Sequence, residues 1–151
     1  MGINTNENLI LYAEDSQIEQ ELFKQALKEH EFSFDVKFFN HGESLLNHLA
    51  KSEGGEEEYA LPSLIMLDWQ MPVKSGLETL EILKQSEKYR NIPVVIFSSH
   101  DDPEIIHLAY QSYANAYIKK PLDYDDLPKI LLAIENFWIK RVKLAHKHTD
   151  L

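Results

Sequence analysis

Five short apolar runs recur along the chain at intervals of about one strand-plus-helix unit. They are Leu9-Ile10-Leu11-Tyr12-Ala13, Val36-Lys37-Phe38-Phe39, Leu64-Ile65-Met66-Leu67, Val94-Val95-Ile96-Phe97 and Ala116-Tyr117-Ile118. Most lack polar alternation, which is the pattern of strands covered on both faces. Helical spacing fills the gaps between them. Ile18, Leu22, Phe23, Ala26 and Leu27 form an apolar stripe after the first run, and Ser16 with Glu19 reads as a capping box. Leu45, Leu46 and Leu49 mark a shorter second helix, and Ser75 with Glu78 repeats the box before Leu80 and Leu83. Asp102-Pro103 reads as N-cap plus first-turn proline, with Ile105, Ile106 and Ala109 turned inward. The last helix, begun near Asp125 so that Pro128 falls in its first turn, carries Leu127, Ile130, Leu131, Ile134 and Trp138 on one face. A strand–helix pair repeated five times predicts an α/β fold, with a five-stranded parallel sheet, right-handed crossovers and helices on both faces.

A length of 151 residues with 44% apolar content suits one domain with a proper core. We expect a single domain over 1–151: a core over about 8–138, then a helical extension and tail over 139–151, and no output domain. Residues Glu53 to Tyr59 read as a solvated acidic insertion, and Lys140, Arg141, Lys143 and Lys147 make the tail basic. The net charge of −10 argues against nucleic acid as a partner. The absence of cysteine excludes disulfides, thiolate zinc sites and thiol nucleophiles. There is no run of about 18 apolar residues, and the start Met1 to Glu7 is polar, so neither signal peptide nor membrane span is expected and the predicted location is cytoplasmic.

In open parallel sheets, ligands bind beyond the carboxyl ends of the strands. Here those ends deliver Glu14-Asp15, Asp68, Ser98-Ser99 and Lys119-Lys120-Pro121. A polar residue at any one strand end can simply mark the chain leaving the core. Four ends delivering groups useful for one reaction are a stronger pattern. Two carboxylates ~4 Å apart repel by roughly 4 kcal/mol at an effective dielectric of 20, so this rim calls for a cation. An all-oxygen set suits Mg²⁺, or Mn²⁺, and not zinc. A carboxylate beside such an ion can act as nucleophile toward phosphorus, and Asp68 is the natural one. Ser98 and Lys120 are placed to hold the phosphoryl oxygens.

At these residues the chain resembles the receiver domain of two-component response regulators. The resemblance rests on Glu14-Asp15, on Asp68 in Leu67-Asp68-Trp69-Gln70-Met71-Pro72 with Gly76 following, on Ser98 after Pro93 to Phe97, and on Lys120-Pro121. It implies a flavodoxin-like sheet of strand order 2-1-3-4-5. It also implies a signalling domain rather than a conventional enzyme, with Asp68 accepting phosphate from a sensor histidine kinase or phosphotransfer protein. Asp15, Asp68 and the Gln70 backbone carbonyl would ligate Mg²⁺, with Glu14 acting largely through water. Tyr117 falls at the family's aromatic switch position beside Ser98, ordinary packing at the sheet edge being the other reading. Departures from the pattern are Glu14 for the commoner Asp, Ser98 for Thr, and Tyr113 for a glycine before the fifth strand. Gln70 and His100 occupy flanking positions that influence phosphate lifetime in the family. The ending Glu135-Asn136-Phe137-Trp138 suggests the small regulators that partner phytochrome-type kinases.

Three other functions use similar folds. A haloacid-dehalogenase-type phosphatase needs an acid where Gln70 stands, and a flavin or nucleotide module would want a phosphate loop where Glu14-Asp15 stands. A receiver-like module that is never phosphorylated would have no need of Asp15, Asp68, Ser98 and Lys120 together. The expected output is a repacking of helix four, strand five and helix five, including Ile105, Tyr110 and Tyr117, through which two copies would pair. The kinase would dock near Gln17 and Ile18.

Overall fold

The computed structural model describes residues 8–51 and 61–145. The acidic stretch Glu53 to Tyr59 and Lys147 lie outside the described residues. The strands are β1 (Leu9–Ala13), β2 (Asp35–Phe39), β3 (Leu64–Leu67), β4 (Val94–Ser98) and β5 (Ala116–Lys119). All pair in parallel in the order β2-β1-β3-β4-β5, the order the resemblance implies. Between and after them come α1 (Gln17–Lys28), α2 (Gly42–Lys51), α3 (Gly76–Gln85), α4 (Pro103–Gln111) and α5 (Leu127–Ile134).

Successive strand side chains point to opposite faces, and this sorts the core into two layers. Leu11, Ala13, Ile65, Leu67, Val94 and Ile96 pack with Leu45 and Leu49 of α2, Leu80 and Leu83 of α3 and Ala109 of α4. Ile10, Tyr12, Leu64, Met66, Val95 and Phe97 pack with Phe23 and Ala26 of α1 and Leu127, Leu131 and Ile134 of α5. Both faces of β1, β3 and β4 are therefore apolar, which explains their unbroken hydrophobic runs. The edge strand β2 instead alternates, with Asp35 and Lys37 exposed.

Several local expectations shift. The last helix is entered through a 3₁₀ turn, Tyr124–Asp126, in which the Asp123 side chain accepts from the Asp125 N–H at 2.9 Å. The α-helix therefore begins at Leu127, not at Asp125. It then widens into a π-helical turn, Glu135–Ile139, and Lys140 and Arg141 lie in a turn. The helical extension expected over 139–151 does not run through the described residues 140–144, which are turn and irregular. Within the π-helical turn the buried Glu135 carboxylate accepts from the Ser33 N–H at 2.6 Å and the Ser33 hydroxyl at 3.0 Å. Asp102 holds the N-cap position of α4 but makes no side-chain cap bond. Tyr113, where a glycine was expected by analogy, adopts φ 72°, the left-handed region in which a side chain is strained. No helix among the described residues is long and apolar enough to cross a membrane.

Candidate functional site

The strand register sets the site. Ala13 pairs with Leu67 and Leu67 with Ile96, so the next residues along, Glu14 and Asp68, emerge side by side at the carboxyl rim. Ser98 and Lys119 pair at the end of β4 and β5, which brings Lys120 to the same rim. Asp68 is held by its own turn: its N–H donates to the Ala13 carbonyl at 3.1 Å, and Oδ1 accepts from the Trp69 N–H at 2.8 Å. Gly76 is obligatory behind it, because a Cβ there would collide with the Asp68 carbonyl oxygen and lie 2.9 Å from Trp69 Cα. Between them Val73 takes φ 69° while the Lys74 N–H donates to the Pro72 carbonyl at 2.7 Å, a strained tight turn for a β-branched residue.

Lys120 is the hub. Its buried ammonium donates to Glu14 Oε1 and, at 2.6 Å, to Glu19 Oε2, and forms an ion pair with Asp68 Oδ2 at 3.6 Å. Glu14 is wholly buried. Its Oε1 also accepts from the Tyr12 hydroxyl at 3.3 Å and its Oε2 from the Ser16 N–H at 3.2 Å. Glu19 Oε1 accepts from the Tyr124 hydroxyl at 2.9 Å.

The charges follow from burial and proximity. Burial pushes the Glu14 carboxyl up to about 9, a hydrogen bond with Glu19 adds to this, and Lys120 opposes it. Burial would also raise Glu19, but hydrogen bonds from Glu14, Lys120 and Tyr124 outweigh it and bring Glu19 down to about 2. Asp68 is raised, chiefly by burial, with Lys120 pulling the other way. Lys120 is raised despite its burial, because Glu14 and Glu19 bond to the ammonium and Asp68 adds its charge. Burial and the bond to Glu19 push Tyr124 up to about 12.

The expected site residues fall into three groups. Glu14, Asp68 and Lys120 meet directly. Asp15 and Gln70 are exposed and line a neighbouring cleft of about 470 Å³ with Trp69, Met71, Pro72 and Ser75. Ser98 is wholly buried, and its hydroxyl accepts from the His100 N–H at 3.2 Å. Half-buried Tyr117 donates its hydroxyl to the His100 carbonyl at 2.7 Å, and its N–H donates to the Tyr110 hydroxyl at 3.0 Å. Burial raises the Tyr117 hydroxyl, against a hydrogen bond from Ser98.

Glu19 and Tyr124 were not anticipated. The signal for Glu19 was present but carried another meaning, since Ser16-x-x-Glu19 spells a capping box. Only half of that box forms: Ser16 accepts from the Glu19 N–H, while Glu14 takes the Ser16 N–H and the Glu19 carboxylate turns to Lys120. Its position one helical turn beyond Asp15 was the available clue. Glu14, Glu19 and Asp68 each offer a carboxylate oxygen, all within 4.8 Å of one another, an all-oxygen donor set that fits a hard divalent cation.

Residues 10–132 match the family described as the response regulator receiver domain. Response regulator Rcp1 of Synechocystis is 32% identical over 137 residues, covering 90% of this chain and 92% of the relative. The probable methanogenesis regulatory protein FilR2 of Methanothrix harundinacea is 30% identical over 131 residues, 87% of this chain and 83% of the relative. Among solved structures, the phosphorylated cyanobacterial phytochrome response regulator RcpA aligns with TM-score 0.80 at 29% identity, covering 91% of this chain and 98% of that one. The Mn(2+)-bound form of Rcp1 aligns with TM-score 0.76 at 29% identity, with the same coverages of 91% and 98%.

Proposed function

Because the chain belongs to the response regulator receiver family, matched over residues 10–132, we propose that Asp68 accepts a phosphoryl group from a sensor histidine kinase or phosphotransfer protein. The observation that carries this reading is Lys120, a buried ammonium drawn from β5 to within 3.6 Å of the Asp68 carboxylate at the sheet's carboxyl rim. An Asp68 oxygen attacks phosphorus while the P–N bond to the donor imidazole breaks, and that nitrogen leaves with the electron pair. Lys120 and the Ser98 hydroxyl hold the phosphoryl oxygens.

A divalent ion, Mg²⁺ or Mn²⁺, would supply the remaining neutralisation of charge. Asp15, Asp68 and the Gln70 carbonyl would hold it, with Glu14 acting through water. This division is supported by what each group already does. Both Glu14 oxygens accept hydrogen bonds within the protein, whereas Asp15 and Gln70 open onto the cleft.

The docking surface for the phosphate donor is the start of α1 with the loop after β5, which Glu19, Lys120 and Tyr124 tie together. There Ile18 and Leu122 are 74% and 95% exposed. Output passes through Ser98, His100 and Tyr117 to α4 and β5, where Tyr110 and Tyr117 are already bonded. Pairing of two copies through the α4–β5–α5 face is the form that output takes.

Incubation with acetyl phosphate and Mg²⁺, read by intact mass, tests the core of this reading. One added phosphoryl group in the parent and none in Asp68→Asn is expected. A folded parent that stays unmodified would turn the reading toward an interaction module that is never phosphorylated. Sedimentation with and without the phosphate mimic beryllofluoride tests the pairing, which is lost as a proposal if the mass does not change.

A further inference from the structure

Lys120 has three N–H bonds to give, and the resting chain spends them unevenly. The ammonium bonds to Glu14 and, at 2.6 Å, to Glu19, while Asp68 stands off at 3.6 Å. A phosphoryl group on Asp68 draws that ammonium toward itself, in competition with the two glutamates that already hold it. They differ in what they would lose. Glu14 is wholly buried, and losing the lysine would leave its carboxyl oxygen short of a donor with no water to replace it. The Glu19 side chain is 29% exposed against 5% for Lys120, so water can take the place of the lysine there. The other Glu19 oxygen accepts from Tyr124, in the 3₁₀ turn Tyr124–Asp126 that leads into α5.

We infer that Glu19 is a positioning residue: it holds Lys120 back from Asp68 in the unphosphorylated chain, yields it to an arriving phosphoryl group, and in doing so loosens the Tyr124 turn. The inference rests on Asp68 being the phosphoryl acceptor. It gives the site a second way out, from β5 through Tyr124 to the start of α5, separate from the path through Ser98 and Tyr117. A purely structural capping role for Glu19 does not fit, because its carboxylate leaves the cap and goes to Lys120 and Tyr124.

The test uses the full chain with Mg²⁺ and beryllofluoride as the probe, followed by Trp69 fluorescence and by amide hydrogen exchange at Asp125, Asp126 and Leu127. Replacing Glu19 by Gln keeps its size and removes its charge, which weakens its hold on the lysine to that of a neutral acceptor. Beryllofluoride should bind Glu19→Gln about fivefold more tightly than the parent, the scale of a competing charge-assisted hydrogen bond weakened to a neutral one. In the parent, beryllofluoride should speed exchange in the turn by about threefold, as expected for local loosening. Glu19→Gln should show the faster exchange without the probe. Tyr124→Phe keeps the charge of Glu19 and should also raise exchange in the turn without the probe. Tighter binding with no change in exchange would reduce Glu19 to a repelling charge and overturn the inference. Weaker binding of both Mg²⁺ and beryllofluoride in Glu19→Gln would make it a metal ligand and overturn it equally. A parent that fails to respond to beryllofluoride at all would overturn the phosphoryl reading and this inference together; a responding parent with an unaltered Glu19→Gln would overturn this inference alone.

Discussion

Ser16-Gln17-Ile18-Glu19 opens α1, and Ser75-Gly76-Leu77-Glu78 opens α3. Both tetrads carry the same signature, and in both the serine side chain accepts from the backbone N–H three residues on, at 3.3 Å and 3.2 Å. Their glutamates then part. Glu78 returns to the Ser75 N–H and closes its box at the protein surface. Glu19 leaves its box for Lys120 and Tyr124, and Glu14 fills the place it vacates by accepting from the Ser16 N–H. The difference is not written in the tetrads. It comes from what stands beside them: a buried ammonium lies within reach of α1, and α3 starts under the Asp68 loop, where Gly76 makes the close approach.

Four perturbations would break or sharpen that contrast. The largest effect is expected at Gly76→Ala, whose Cβ would strike the Asp68 carbonyl oxygen. A loss of about 3 kcal/mol in urea unfolding is expected for such a backbone clash, with the Asp68 carboxylate displaced as well. Next comes Lys120→Met, which leaves three carboxylates without their ammonium. We expect a loss of about 2 kcal/mol near neutral pH, growing as pH rises and more of the carboxylates must ionise unpaired; an equal loss at every pH would show that their charges are not coupled to the lysine.

Third, the pH dependence of the parent should carry the mark of Glu14. The folded chain keeps the Glu14 proton up to about 9, against 4.5 for the unconstrained group, so between these values the folded state binds more protons than the unfolded one. Stability contributed by that proton is complete at the acidic end of the window and is lost as pH rises through it. Glu14→Gln should flatten thermal melting across the window, and an unchanged pH profile would place the proton elsewhere. The smallest effect belongs to Glu78→Gln, which should cost a few tenths of a kcal/mol by weakening an exposed box. It should leave beryllofluoride affinity where it was, in contrast to Glu19→Gln.

What could be read from the chain depended on distance along it. Strand runs such as Leu64-Ile65-Met66-Leu67 announce themselves because burial on two faces is a local, continuous demand. Asp68 and Lys120 were legible because a strand end marks where a side chain meets the rim. The behaviour of Glu19 was not, since its local partners account for it fully and the competing ammonium lies 101 residues away. The Glu135 contact was hidden for the same reason: nothing near Glu135 indicates that its carboxylate is claimed by Ser33, 102 residues earlier. Tyr113 shows the middle case, a position whose turn could be flagged by analogy but whose left-handed backbone is settled only by the chain around it.

The pairing of Glu14 with Lys120 spans 106 residues, which has a consequence for synthesis on the ribosome. Chains emerge from the amino end, so the acidic members of the rim are made well before the one base that reconciles them. Until β5 has left the exit tunnel, closing the centre of the sheet would bury the Glu14 and Asp68 carboxyls without the ammonium that bonds to the one and pairs with the other. The nascent chain therefore has an electrostatic reason to postpone that closure until its last strand arrives.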